Sequence, residues 1–153
     1  MSSAKELRLQ AMNLLARREH SRQELYRKLS RRGAEAADIE PVLDQLIADK
    51  LLSDERFAEA YTTARARKGY GPQRIQQELQ ERGVSDDIID SILASFEHQW
   101  LSDLAILWKK RWPHQAIDSL EERSKRWRFI QYRGYTWDQF KQLCEDYETI
   151  SDS

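Results

Sequence analysis

A self-similarity with a spacing of 50 residues constrains this chain more than any other feature. Ser21 and Gly71, Gln23 and Gln73, Leu25 and Ile75, Leu29 and Leu79, Arg32 and Arg82, and Gly33 and Gly83 all stand 50 positions apart. A weaker third copy follows 51 positions on, where Arg82-Gly83 becomes Arg133-Gly134 and Ser85 becomes Thr136. In the same copy Ile89, Ile92 and Phe96 become Phe140, Leu143 and Tyr147. A period of this length marks tandem supersecondary units, each burying its apolar face against a neighbour. Three small units are therefore expected in place of one large core.

The local pattern within each copy is helical. In the central stretch, Gly69 and Gly71 allow tight backbone geometry, and Pro72 suits the first position of a helix, where its missing N–H is not needed. Ile75 and Leu79 then fall one turn apart on an apolar face, and Gly83 is a natural left-handed stop. In the first copy a helix is predicted from Ala4 to Arg18 on Leu7, Ala11, Leu14 and Leu15. Ser21-Arg-Gln-Glu24 forms a capping box for a second helix ending at Gly33. A third, capped by Asp38 with Pro41 in its first turn, is expected to bury Val42, Leu43, Leu46 and Ile47. The second copy starts at Ser53, with Phe57, Ala60, Tyr61 and Ala64 inward, and ends on a Ser85-capped helix carrying Ile88, Ile89, Ile92, Leu93 and Phe96. In the third copy helices are expected at Trp100–Trp112, broken by Pro113, at Ser119–Arg133, and after a Thr136-x-x-Gln139 capping box. The predicted architecture is all-α: three tandem three-helix repeats, at 4–52, 53–98 and 99–148, forming an elongated, curved array. Flexible joints are expected near Leu52-Ser53 and His98-Gln99, and a frayed polar tail at 149–153.

Composition supports helix, because only 5 Gly and 3 Pro serve the turns of 153 residues. The single cysteine, Cys144, cannot form an intramolecular disulfide and suits a reducing compartment. No apolar signal core opens the sequence and no run is long enough to span a bilayer, so a soluble, cytoplasmic protein is expected; it is taken to act as a monomer. The formal net charge of −1 conceals segregation: 17–33 carry +5, 34–64 carry −6, 65–83 carry +3, 84–103 carry −5 and 104–137 carry +5. Such blocks describe either solvated helix faces of opposite sign or a basic face towards nucleic acid.

Catalytic chemistry has no visible basis. His20, His98 and His114 are scattered, no Cys/His spacing suggests zinc, and Gly69-Tyr-Gly71 matches neither a Walker loop nor a dinucleotide fingerprint. A non-enzymatic protein without metal or cofactor is expected, with His20, the counterpart of Tyr70, serving at a helix start. Binding chemistry remains. Arg27 and Arg31 lie in the first basic block. Arg65, Arg67, Lys68, Tyr70 and Arg74 interleave cations with an aromatic ring beside a helix N-terminus, a pattern suited to phosphate. Lys109 and Lys110 beside Trp112, and Arg126, Arg133 and Tyr135 among further aromatics, repeat the theme. These rings suit either base stacking or core packing. Gly33, Gly69, Gly71, Pro72, Gly83 and Gly134 are expected to shape the fold.

The stretch Arg67-Lys-Gly-Tyr-Gly-Pro-Gln-Arg-Ile-Gln-Gln-Glu-Leu-Gln-Glu-Arg-Gly-Val-Ser85 closely resembles the RecX family, bacterial regulators of the recombinase RecA. Arg22-Gln-Glu-Leu-Tyr-Arg-Lys-Leu29, Leu51-Leu-Ser-Asp-Glu-Arg-Phe-Ala58 and Tyr132-Arg-Gly-Tyr135 extend the similarity from about Leu7 to Tyr147. The resemblance implies a non-enzymatic protein of tandem three-helix repeats that binds RecA and its filament on single-stranded DNA. It would limit filament extension and so reduce strand exchange, ATP turnover and co-protease activity. The alternative is a DNA-binding protein that competes with RecA for single-stranded DNA.

Overall fold

The computed structural model describes residues 3–114 and 116–147. Among these, nine helices follow one another: α1 (Ala4–Leu15), α2 (Arg22–Arg31), α3 (Ala36–Ala48), α4 (Asp54–Arg67), α5 (Pro72–Glu81), α6 (Asp86–Ser95), α7 (Trp100–Arg111), α8 (Leu120–Tyr132) and α9 (Trp137–Tyr147). The fold is all-α, three helices to each copy of the sequence repeat. The expected tail at 149–153 lies outside the described residues.

The chain divides into two compact units, Met1–Tyr61 with Leu79–Ile92, and Thr62–Glu78 with Leu93–Ser153. In the first, Leu7, Ala11 and Leu14 of α1 meet Leu25 and Leu29 of α2 and Ile39, Val42, Leu43 and Leu46 of α3 in one buried cluster. Burying each of these leucines and isoleucines stabilises the fold by about 1.5–3 kcal/mol. Helix α1 stops at Leu15, short of the expected Arg18, whose guanidinium instead holds the Glu19 carbonyl at 2.8 Å. The Ser21 capping box is formed in full, with Ser21 Oγ accepting from Glu24 N–H at 3.1 Å and the Glu24 carboxylate accepting from Ser21 N–H at 3.1 Å. Helix α3 departs from expectation at both ends of its stripe. It starts at Ala36 with Glu35 as its cap, so Pro41 falls inside the helix, beyond the first turn. The missing proline N–H would have served the carbonyl of Ala37, an exposed residue whose carbonyl water can reach. The buried face is Ile39, Val42, Leu43 and Leu46, whereas Ile47 is 44% exposed.

In the second unit, Leu104 and Trp108 of α7, Ile130 of α8 and Phe140, Leu143 and Cys144 of α9 enclose Ile117 and Tyr135. Trp108 is fully buried, edge-on to Trp112 at 5.1 Å and stacked on Tyr147 at 5.5 Å. The Thr136 capping box forms as expected: Gln139 N–H donates to Thr136 Oγ1 at 3.1 Å, and Thr136 N–H to Gln139 Oε1 at 2.8 Å. Helix α4 buries Phe57, Ala58, Thr62 and Ala66, while Ala60 and Ala64 are exposed. Alanine is too small to mark a helix face by itself, and the spacing of four from Ala58 to Ala66 decides the stripe.

Candidate interaction site

The segment Lys68-Gly69-Tyr70-Gly71 is the turn between α4 and α5. Gly69 has φ +88°, and Tyr70 N–H returns to the Arg65 carbonyl at 3.2 Å, closing the end of α4. Gly71 N–H then donates to the Arg133 carbonyl at 2.7 Å, and Gln73 N–H to the Gly134 carbonyl at 2.9 Å. Two of the donors at the start of α5 are thus taken by the turn between α8 and α9. These two amides, paired with residues far along the sequence, are not available to a phosphate.

Tyr70 is clasped by three guanidiniums: Arg65 lies 3.9 Å from its ring centroid, Arg74 4.6 Å and Arg133 4.8 Å. Each is within cation–π range. Glu78 accepts two hydrogen bonds from Arg65, at 2.9 and 2.8 Å, and approaches Arg74 Nε at 3.7 Å. Arg74 also donates to the Tyr132 carbonyl at 3.1 Å, and Arg133 to the Lys68 carbonyl at 3.1 Å. The ring faces of Tyr70 are therefore occupied, and this tyrosine cannot stack on a base without dismantling the clasp.

Two further expected contact residues are not at the surface. Arg126 is 3% exposed; it donates to the carbonyls of His114 and Ala116, both at 3.1 Å, and to Glu122 at 3.0 Å. Its guanidinium lies over Trp108 and Trp112, at 5.2 and 4.9 Å, and fastens the segment between α7 and α8. Tyr135 is fully buried in the second core, where burial and the charge of Asp103 push its phenol upward. Both groups are corrected from contact residues to internal ones. Composition could not reveal this, since basic and aromatic neighbours look alike inside and outside.

The remaining cations are outward. Arg27 and Arg31 are exposed on α2, in the first unit; Arg67, Lys68, Lys109 and Lys110 are exposed in the second. Arg67 and Lys68, with Ala66 and Gly69, form one wall of a cleft of about 230 Å³ whose other wall is Asp103, Ile106, Leu107 and Lys110 of α7. Sequence reading missed Asp103, Ile106 and Leu107. Their spacing with Lys110 places all four on one face of α7, but that face gains meaning only where the end of α4 meets it. Burial raises the Asp103 carboxyl above its ordinary range. Among the described residues no group of His, Cys, Asp and Glu is placed to hold a metal ion, and no helix is long and apolar enough to cross a membrane.

The glycine-bounded helices belong to a recognisable pattern. Residues 3–46 match the family model of the first three-helix domain of RecX, and residues 53–93 match that of the second. The chain belongs to the RecX family. A regulatory protein RecX of Pseudomonas fluorescens is 46% identical over 138 residues, covering 90% of this chain and 88% of its own. One from Halorhodospira halophila is 39% identical over 140 residues, covering 92% and 87%. The crystal structure of RecX from Lactobacillus salivarius superposes with a TM-score of 0.79 at 21% identity, covering 94% of this chain and 95% of that one. At that identity the likeness speaks for the RecX fold, and it extends through α7–α9, which the two family models leave unmatched.

Proposed function

We propose that this protein is a non-enzymatic, cytoplasmic regulator that binds RecA and its filament on single-stranded DNA. It limits filament extension, and strand exchange, ATP turnover and co-protease activity fall as a consequence. The observation that carries this reading is membership of the RecX family over both three-helix domains, with relatives named as regulatory proteins. The proposed organisation is three repeats, at 4–52, 53–98 and 99–148, each offering a few contacts. Several weak contacts on one chain add through effective concentration, so regulation requires occupancy and no chemistry.

The second reading, competition for single-stranded DNA, is favoured by the exposed Arg67, Lys68, Lys109 and Lys110, and by Tyr132, which is 72% exposed. Against it stand the occupied ring faces of Tyr70 and the paired amides at the start of α5, the two features best suited to stacking and phosphate binding. Salt separates the readings, because binding through several phosphates weakens steeply with added salt. Inhibition of strand exchange should persist at a salt concentration that abolishes the protein's own binding to a labelled oligothymidylate. Inhibition that disappears in step with oligothymidylate binding would establish the competitor instead.

A further inference from the structure

The cleft between the end of α4 and α7 combines an apolar surface with a cationic one. Its floor is aliphatic: Ile106 is 60% exposed and Leu107 half-buried, with Gly69 close enough that an added methyl would lie 3.3 Å from Leu107 Cδ1. Its rim is cationic, from Arg67, Lys68 and Lys110, whose side chains have no ion-pair partner among the described residues. Asp103 is the one carboxylate in the lining, leaving an excess of positive charge over apolar surface.

That pairing selects among occupants. A single strand of nucleic acid would satisfy the cations, but the lining offers its bases no aromatic ring and only the Arg67 guanidinium as a plane, and it leaves the aliphatic floor without a matching surface. Tyr70, next in sequence to the lining residue Gly69, has its ring covered by Arg65, Arg74 and Arg133. A protein segment carrying carboxylates on either side of an apolar side chain satisfies both surfaces at once. We propose that the cleft receives an acidic segment of the protein partner, with an apolar side chain on Ile106 and Leu107 and carboxylates reaching Arg67, Lys68 and Lys110. This assignment rests on the RecA-binding reading and locates one of its contacts.

The test measures binding of the full chain to RecA filaments assembled on oligothymidylate with a non-hydrolysable ATP analogue, and separately to oligothymidylate alone. Ile106→Asp introduces a carboxylate at an exposed floor position; Arg67→Glu with Lys110→Glu reverses the rim. Lys125→Glu with Arg128→Glu, at exposed positions of α8 outside the cleft, matches the change in net charge. Ile106→Asp and the rim pair are each expected to weaken filament binding about tenfold or more. The α8 pair should change it less than about threefold, and Ile106→Asp should leave oligothymidylate binding within about twofold. Wild-type filament affinity retained by Ile106→Asp overturns the cleft as a partner site. Rim reversal that weakens filament and oligothymidylate binding in parallel overturns it too, in favour of phosphate. A wild-type protein that fails to bind filaments at all removes the underlying reading and the cleft assignment together.

Discussion

Gly71 and Gly134 lie backbone against backbone: a methyl added at Gly71 would sit 2.7 Å from the carbonyl carbon and oxygen of Gly134. The contact places the start of α5 on the turn between α8 and α9, with Gly71 N–H donating to the Arg133 carbonyl. Within the first unit the sequence equivalents do the same, since Ser21 Oγ donates to the Arg82 carbonyl at 2.8 Å. The 50-residue repeat is thus also a repeated contact, in which the start of one middle helix meets the Arg-Gly turn ending the next.

Gly71→Ala should therefore cost far more than the ordinary loss of a turn glycine. Backbone atoms cannot yield as a flexible side chain can, and a destabilisation of about 2–4 kcal/mol is expected in urea unfolding. Gly33→Ala is the control. Gly33 has φ +95° but open space around its added methyl, so only the left-handed strain of about 1 kcal/mol applies. Equal losses at the two positions would show that the close approach does not matter.

Ser21→Ala removes the cap of α2 and the hydrogen bond to the Arg82 carbonyl together. The expected loss is about 1–2 kcal/mol, against roughly 1 kcal/mol for Thr136→Ala, whose hydroxyl caps α9. Denaturant midpoints of the two variants provide the comparison.

Arg126→Met should destabilise by about 1.5–3 kcal/mol, because the buried guanidinium's hydrogen bonds to the His114 and Ala116 carbonyls and to Glu122 are lost together. Arg67→Glu, at an exposed position, should leave stability within about 0.5 kcal/mol. Thermal unfolding distinguishes an internal clamp from a surface cation directly.

His20 is 1% exposed, with Nδ1 3.0 Å from the Arg18 carbonyl and Nε2 2.8 Å from Lys28 Nζ. Burial lowers its pKa most, and the nearby charges of Arg18 and Lys28 act in the same direction against the Arg18 carbonyl and Glu24. A lowered histidine binds fewer protons folded than unfolded, so its contribution is complete above the unfolded value of about 6.5. It is lost as pH falls through that value towards the folded one. Asp103 has the opposite sign: its raised carboxyl makes stability fall as pH rises through the range between its unfolded and folded values. Wild type minus His20→Gln isolates the histidine, and the difference in unfolding free energy should shrink between pH 7.5 and pH 5. A difference independent of pH would contradict a buried neutral imidazole.

What was legible in the sequence was local. The Ser21–Glu24 and Thr136–Gln139 capping boxes need only three residues of spacing, and both formed as expected. The left-handed glycines at 33, 69, 83 and 134 likewise end helices through their own backbone. What escaped depends on distant partners. Ile39 replaces Ile47 in the first core because α3 begins at Ala36, a start that no cap hydrogen bond marks. Arg126 turned inward because the His114 and Ala116 carbonyls receive it, and Tyr70 lost its free faces partly to Arg133, from the turn between α8 and α9. The cleft was legible only in part: Arg67, Lys68 and Lys110 stood out as cations, but the aliphatic floor of Ile106 and Leu107 meets Arg67 and Lys68 only in the fold.

The most direct measurement is ATP turnover by RecA on single-stranded DNA, with this protein titrated from far below the RecA concentration. Action on filaments predicts that turnover falls at ratios well under one per RecA, and falls further the longer filaments are given to exchange their ends. Inhibition that begins only when the protein is abundant enough to coat the DNA, or none at any ratio, would contradict regulation through the filament.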